Sequence, residues 1–458
     1  MDERDAYANL VLPALLRRAG LSGRGAAFAT ELAYGTLRGR GLYDAVLAAC
    51  VDRPFAQVEP TVLDALRLGT HQLLGMRVPT HAAVTTTVDL VRATSGNGAS
   101  RFANAVLRRV AERDRDAWLA RVAPDPNADP DAHLAVVHSH PMWIVRAFRD
   151  ALGGAGREPG ELPDLLAADN ARPRVTVTAL PGLADVDEIV QVGAELGVAS
   201  PLSAVLTVPP EQVAAVTEGR ARVQDEGSQL VTLALAAAPV EGDDQGHWLD
   251  LCAGPGGKAA LLAAELARRV VAGTVGARGR LIAVEVAAHR AQLVREALRT
   301  VPGAPEVREA DGREMAAEEA GTYDRVLVDA PCTGLGALRR RPEARWRRTP
   351  SDIAQLAPLQ RGLLTAALRA VRPGGVVGYV TCSPHRAETG AVVHDVLRGR
   401  DDVTRLDART AVELASGGLV GVDTLGPGPD VQLWPHVHGT DAMYLALLRR
   451  RATTRTPA

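Results

Sequence analysis

The chain almost lacks lysine. Among 458 residues Lys258 is the only one, and the rest of the 52 Lys+Arg residues are arginine. A codon bias toward arginine and alanine accounts for the arginines but not for the one lysine that remains. Aromatic residues are also scarce, at 3%. Only four cysteines occur, with no C-x-x-C pair and no metal-ligand spacing. That excludes a disulfide framework and a zinc site, and points to a reducing compartment. Net charge is −2, so there is no global electrostatic attraction for nucleic acid. Any RNA or DNA contact must come from local clusters. The charged start, Met1-Asp2-Glu3-Arg4-Asp5, carries no signal-peptide pattern. The longest apolar run, around Leu230 to Val240, is too short to span a bilayer. A soluble cytoplasmic protein with no membrane partner is expected.

What is present is a globular composition, 47% hydrophobic, in a chain long enough for two or three domains. Residues 1 to about 125 read as all-helical. Apolar positions recur at helical spacing, as in Leu12, Leu15 and Leu16, then Leu63, Leu66 and Leu73. Arg17, Arg18, Arg38, Arg40, Arg101, Arg108 and Arg109 make this segment modestly basic, which suits either a solvated surface or an RNA-facing patch. Residues 121 to 140, rich in Pro, Asp and Ala as in Pro124-Asp125-Pro126-Asn127-Ala128-Asp129-Pro130, read as a boundary or linker. Residues 138 to 225 mix helical runs with short β-like ones, Val175 to Thr178 and Val205 to Val208, and read as a small α+β subdomain. From 226 to about 450 the pattern is βα alternation. Trp248 to Leu251, Leu281 to Val284, Arg325 to Val328 and Val376 to Val380 are strand-like, with a long helix between Asp352 and Val371. That predicts a doubly wound, mostly parallel Rossmann-like sheet, closed by a final strand from Ala442 to Leu448 that is open to antiparallel pairing.

Four motifs fall at strand ends, where ligands bind in such sheets. The first, Asp250-Leu251-Cys252-Ala253-Gly254-Pro255-Gly256-Gly257-Lys258, is a glycine loop leading into an alanine-leucine helix. Glycines allow close backbone approach to a ligand, and the helix start offers free N–H groups. The spacing matches neither the Walker A nor the G-x-G-x-x-G pattern. Glu285 ends the next strand and can hold a ribose diol; Asp311 follows a third and can meet an adenine amino group. Then comes Asp329-Ala330-Pro331-Cys332, and last Thr381-Cys382-Ser383. A cysteine after a buried strand is ordinarily a small hydrophobe. Two of them at the edge that carries a nucleoside loop point to nucleophile chemistry on carbon. A helix expected near Glu388 would lower the Cys382 pKa. Between the cysteines lies Arg339-Arg340-Arg341-Pro342-Glu343-Ala344-Arg345-Trp346-Arg347-Arg348. Arginines suit phosphates and an indole can stack on an unpaired base, so Arg339, Arg340, Arg345 and Trp346 are candidate RNA contacts.

The stretches DLCAGPGGKAA, VLVDAPCTGLGALRRRPEARW and GYVTCSPHRAETGAVV resemble the RsmB-type (Fmu/Sun) RNA cytosine-5 methyltransferases. AFATELAYGTLRGR, ALRLGTHQLLGMRVPTHAAV and ANAVLRRV resemble that family's NusB-like helical domain. The resemblance implies three parts: an all-α NusB-like RNA-binding domain, an RRM-like α+β subdomain and an α/β methyltransferase domain. It also implies S-adenosyl-L-methionine as cofactor, lined by Cys252, Ala253, Gly254, Pro255, Gly256, Gly257 and Lys258, with Glu285, Asp311 and Asp329 completing the pocket. Cys382 is then the nucleophile toward C6 of cytosine, Cys332 assists release, and Asp329 stabilises the adduct. The implied substrate is 16S ribosomal RNA, free or partly assembled, and the implied enzyme is a monomer. A transfer-RNA substrate, or a non-catalytic RNA-binding module, is the alternative. DNA cytosine-5 methyltransferases use the Pro-Cys thiol as nucleophile, which would exchange the roles of Cys332 and Cys382.

Overall fold

The computed structural model describes residues 7–452. The chain divides into two compact units. One is helical and comprises residues 1–149, 160–171 and 338–347. Its long helices are Gly23–Cys50, Pro60–Leu74 and Thr80–Val110. Their inward stripes, Leu42, Val46 and Leu47, then Val62 and Leu66, then Val91, Ala103 and Leu107, meet in one core with Trp118. The all-helical expectation holds for this unit. Gly96, at φ 83°, interrupts Thr80–Val110, a backbone state that a side chain would resist. The stretch read as a linker contains a helix, Pro130–Val137, because Asp129 caps it through the Ala132 N–H and Pro130 sits in its first turn. Residues 160–171 and 338–347 also join this unit, although they lie beyond the boundary expected near 125.

The second unit holds both sheets. Strands β1 (Val175–Ala179), β2 (Ala194–Leu196), β3 (Ser203–Leu206) and β4 (Ala221–Val223) form a small antiparallel sheet in the order β2-β3-β1-β4. The larger sheet takes β5 (His247–Asp250), β6 (Arg280–Glu285), β7 (Glu306–Glu309), β8 (Tyr323–Asp329), β9 (Val371–Thr381), β10 (Val403–Leu406) and β12 (Tyr444–Arg450) in the order β10-β12-β9-β8-β5-β6-β7. The two-residue β11 (Val431–Gln432) pairs with β12. From β9 to β7 every pairing is parallel, and β12 is antiparallel to β9.

Side chains alternate across this sheet as a two-residue period requires. Trp248, Leu281, Ala283, Leu327 and Val376 enter one core, with the helix Gly257–Val271. Leu249, Ile282, Val284, Val326, Val328 and Tyr379 enter the other, with Leu363, Leu364 and Ala367 of the helix Pro350–Ala370. Layers on both faces leave only the strand ends open. β8 and β6 flank β5 on opposite sides, so the chain reverses direction across the sheet at β5. Asp250, Glu285, Asp329 and Thr381 are the carboxyl-terminal residues of β5, β6, β8 and β9. Parallel pairing brings these four ends to one edge, which is where the switch point of such a sheet binds ligands.

Candidate active site

The glycine loop leaves β5 and enters the helix Gly257–Val271 at once. Two of its glycines have steric reasons. Gly256 adopts φ 107°, and a Cβ there would lie 2.5 Å from Ala297 Cβ. A Cβ on Gly254 would lie 2.2 Å from Glu285 Oε2. The loop is therefore pressed onto the end of β6. The Gly254 N–H donates to Glu285 Oε2 at 3.1 Å, the Ala287 N–H donates to Oε1 at 3.0 Å, and Arg290 lies 3.3 Å from Oε2. A carboxylate offers about four acceptor positions, so Glu285 keeps capacity for a diol after these contacts. Arg290 also donates to the Gly254 carbonyl at 2.7 Å, a clamp on the loop that the sequence reading did not single out.

Lys258 Nζ lies 2.9 Å from Asp329 Oδ2. Burial pulls the lysine pKa down, but the charge and hydrogen bond of Asp329 and the charge of Cys382 more than offset it, so its pKa rises. The only lysine thus stays charged within Coulombic reach of both Asp329 and Cys382. Asp250 has no exposure, and its Oδ2 has no hydrogen-bond partner among the described residues. Burial, and then the Asp329 charge, push its pKa up to about 7. The Cys252 thiol is pushed well above its ordinary value, first by burial and then by Asp250, Asp329 and Glu285. A raised pKa disfavours the thiolate form of Cys252.

The two other thiols meet. Cys332 Sγ and Cys382 Sγ are 3.4 Å apart. A backbone hydrogen bond from Gly336 N–H to the Cys382 carbonyl, at 2.9 Å, ties their loops together. The hydrogen bond to Cys382 and then burial hold the Cys332 pKa well above the usual thiol value. A raised pKa favours the protonated form of Cys332. The expected helix near Glu388 begins later: Arg386–Glu388 is a single 3₁₀ turn and the helix is Gly390–Leu397. Lys258 is a positive charge within Coulombic reach of Cys382.

Asp311 takes a local role. It caps the helix Gly312–Glu318, accepting from the Arg313 N–H at 2.9 Å and pairing with its guanidinium. The hydrogen bond from the Arg313 guanidinium, against a smaller opposing effect of burial, holds its pKa below the usual carboxylate range. An adenine amino group would have to share this carboxylate with Arg313.

The arginine-rich segment corrects one expectation. In the helical unit Arg345 has no exposure; it donates to Asn170 Oδ1 at 2.8 Å and to the carbonyls of Ser139 and Asp169 at 3.2 and 3.3 Å. Burial brings its pKa down to about 10. A guanidinium sealed among carbonyls cannot meet an RNA phosphate, so the RNA contact expected of Arg345 gives way to a structural role. Trp346 is half-buried, donates to the Leu37 carbonyl at 3.2 Å, and carries Arg40 over its ring. Glu343, also buried, accepts from the Ala8 N–H at 2.8 Å. Arg340 is exposed and Arg339 partly so.

The residues present fit an S-adenosylmethionine site. The observations that carry the fit are the unpartnered Asp250 oxygen beside the loop, the Gly254 cradle that a Cβ would fill, and the carboxylate of Glu285 one strand away. Among the described residues no cluster of His, Cys, Asp and Glu could hold a metal ion, and no helix is long and apolar enough to cross a membrane.

Comparison with known proteins accords with this geometry. Residues 234–449 match the family described as 16S rRNA methyltransferase RsmB/F, and residues 1–112 match the NusB family. The putative methyltransferase Rv1407 of Mycobacterium tuberculosis is 53% identical over 98% of this chain and 93% of its own length. The ribosomal RNA small subunit methyltransferase B of Pseudomonas syringae pv. tomato is 31% identical over 88% of this chain and 85% of its own. The crystal structure of PH0851 superposes with a TM-score of 0.74, covering 95% of this chain and 93% of that one at 22% identity, a likeness of fold. The chain belongs to the RsmB/F family of 16S rRNA methyltransferases and carries the NusB segment ahead of its methyltransferase sheet.

Proposed function

We propose that the chain transfers a methyl group from S-adenosylmethionine to C5 of a cytosine in small-subunit ribosomal RNA, through a covalent adduct between Cys382 and C6. One observation carries this reading: two thiols 3.4 Å apart at the ends of β8 and β9, beside the Lys258–Asp329 pair at 2.9 Å. The small-subunit substrate is supported by relatives such as the Pseudomonas syringae enzyme named above. The cofactor site is assigned to the loop from Cys252 to Lys258, with Glu285 for the ribose, Asp311 toward the adenine and Asp329 at the methyl-bearing end. When bound, S-adenosylmethionine supplies an electrophilic methyl group.

C5 of cytosine is a poor nucleophile. The Cys382 sulfur forms a bond to C6, and the C5=C6 electron pair moves toward C5 and N3, so one hard step becomes two easier ones. Lys258 favours the thiolate form of Cys382 by its charge, and the Cys332 S–H donates to that sulfur. In its protonated form Asp329 donates to N3 and so stabilises the adduct. After methylation a base takes the C5 proton, the S–C6 bond breaks, and the returning thiolate meets the Cys332 proton. The target must leave its stack to reach the thiol, which suits a loop or an opened helix end. Arg339, Arg340 and Trp346 are proposed as RNA contacts; Arg345 is not.

The test is bisulfite sequencing of small-subunit RNA incubated with the purified chain and S-adenosylmethionine. The expected result is one newly protected cytosine that Cys382→Ala fails to protect. No protected cytosine in small-subunit RNA, with protection in transfer RNA, would reassign the substrate.

A further inference from the structure

A fully buried carboxylate stands beside the loops that carry the thiols. Glu388 closes the 3₁₀ turn after β9 and has no exposure. Its Oε1 accepts the Thr333 N–H at 2.8 Å, and its Oε2 accepts the Thr333 hydroxyl. Thr333 directly follows Cys332. Gln360, on the helix Pro350–Ala370, donates to the Pro331 carbonyl at 2.9 Å and to Glu388 Oε1 at 3.3 Å. Pro331 directly precedes Cys332. The residues on both sides of Cys332 are thus held by one carboxylate and one amide. The hold extends to the other thiol: Thr333 Oγ1 lies 3.4 Å from Ser383 Oγ, and Ser383 directly follows Cys382. The turn that carries Glu388 is itself fixed to β9, because the Tyr379 hydroxyl donates to the Glu388 carbonyl at 2.9 Å.

A loop of small residues has no packing of its own to fix a sulfur within a few tenths of an ångström. A carboxylate that accepts both the N–H and the O–H of one residue removes the rotation and translation that would remain with a single bond. Burying that carboxylate is costly unless its hydrogen bonds are made, so the arrangement is held as a unit. We propose that Glu388 is a positioning residue that fixes Cys332 against Cys382 by holding Thr333 and, with Gln360, both flanks of the Cys332 loop. This inference rests on the reading that Cys382 forms the adduct and Cys332 assists its release. The Glu388 charge also counts among the causes that keep the Cys332 proton on, after the hydrogen bond to Cys382, burial and the Cys382 charge. It acts through Cys332, and its effect is read at the release step, where Cys332 is indispensable.

The experiment compares covalent protein–RNA complex, resistant to denaturing gel electrophoresis, between wild type and four variants given S-adenosylmethionine and small-subunit RNA. Glu388→Gln keeps the shape and removes the charge. It should lower turnover about tenfold and raise the trapped complex several-fold above wild type, with cofactor affinity within twofold. Cys332→Ala should trap complex strongly. Adding Glu388→Gln to Cys332→Ala should change neither turnover nor trapping by more than twofold, because the residue it positions is already gone. A merely structural role would lower turnover without trapping, and would add to Cys332→Ala. Thr333→Val approaches the same contact from its other end without altering the carboxylate, and should trap complex even if Glu388→Gln folds poorly. If Cys332→Ala traps complex while neither Glu388→Gln nor Thr333→Val does, the positioning role is overturned and the proposed function stands. If Cys332→Ala itself traps nothing, the proposed function falls, and this inference with it.

Discussion

Asp250 ends β5 without exposure and with one carboxylate oxygen unpartnered, and it sits among Asp329, Lys258 and Glu285. Its pKa of about 7 in the folded chain lies above the unfolded value near 3.8. The folded state therefore holds a proton that the unfolded state has released across that window. Stability from this group is complete below about pH 4 and is lost as pH rises through about 7, on the order of a few kcal/mol. In the cofactor-free protein, wild type should lose stability between pH 5 and 8 relative to Asp250→Asn, measured by urea denaturation at each pH. Parallel pH profiles for the two proteins would contradict the shift. The thiols, the lysine and the glycine loop were legible in the sequence because each sits in a motif at a strand end. Asp250, Thr333 and Glu388 were not read as site residues. In a sequence, a carboxylate buried under two loops looks like one in water, and only the fold separates them.

Elements show the same limit over longer stretches. The arginine-rich segment from Arg339 to Arg348 has the composition of an exposed RNA loop. Residues 338–347 instead belong to the helical unit, with Arg345 sealed against Asn170, Ser139 and Asp169. Composition reports charge and not which way a guanidinium turns. Arg345→Ala leaves those acceptors unfilled, and should destabilise the helical unit by about 3–5 kcal/mol in denaturant titration. Unchanged stability with weakened RNA binding would return Arg345 to the role first expected of it. Pro130–Val137 was hidden by its proline and aspartates, which cap a helix as readily as they fill a linker. The strands of the large sheet were easier. A buried parallel strand is a short apolar run, and β5, β6, β8 and β9 each contain one. β7, with Glu306, Arg308 and Glu309 in four residues, lies at the sheet's end and has no such run.

At the scale of the whole molecule, βα alternation announces a parallel sheet, while strand order depends on which way each crossover turns. The order β9-β8-β5-β6-β7 is what brings both thiols, the lysine and three carboxylates to one edge. It also explains why cysteines fifty residues apart in sequence have sulfurs in contact, since β8 and β9 are parallel neighbours and each delivers one from its end. The division of the chain is discontinuous, with residues 338–347 returning to the helical unit from within the methyltransferase segment, an arrangement no linear boundary expresses. Family membership does not by itself say which sulfur attacks. That claim is central, and the covalent complex tests it most directly. Incubated with S-adenosylmethionine and small-subunit RNA and run on a denaturing gel, Cys332→Ala should accumulate protein–RNA complex and Cys382→Ala should give none. Complex from Cys382→Ala with none from Cys332→Ala would contradict the assignment and exchange the two thiols.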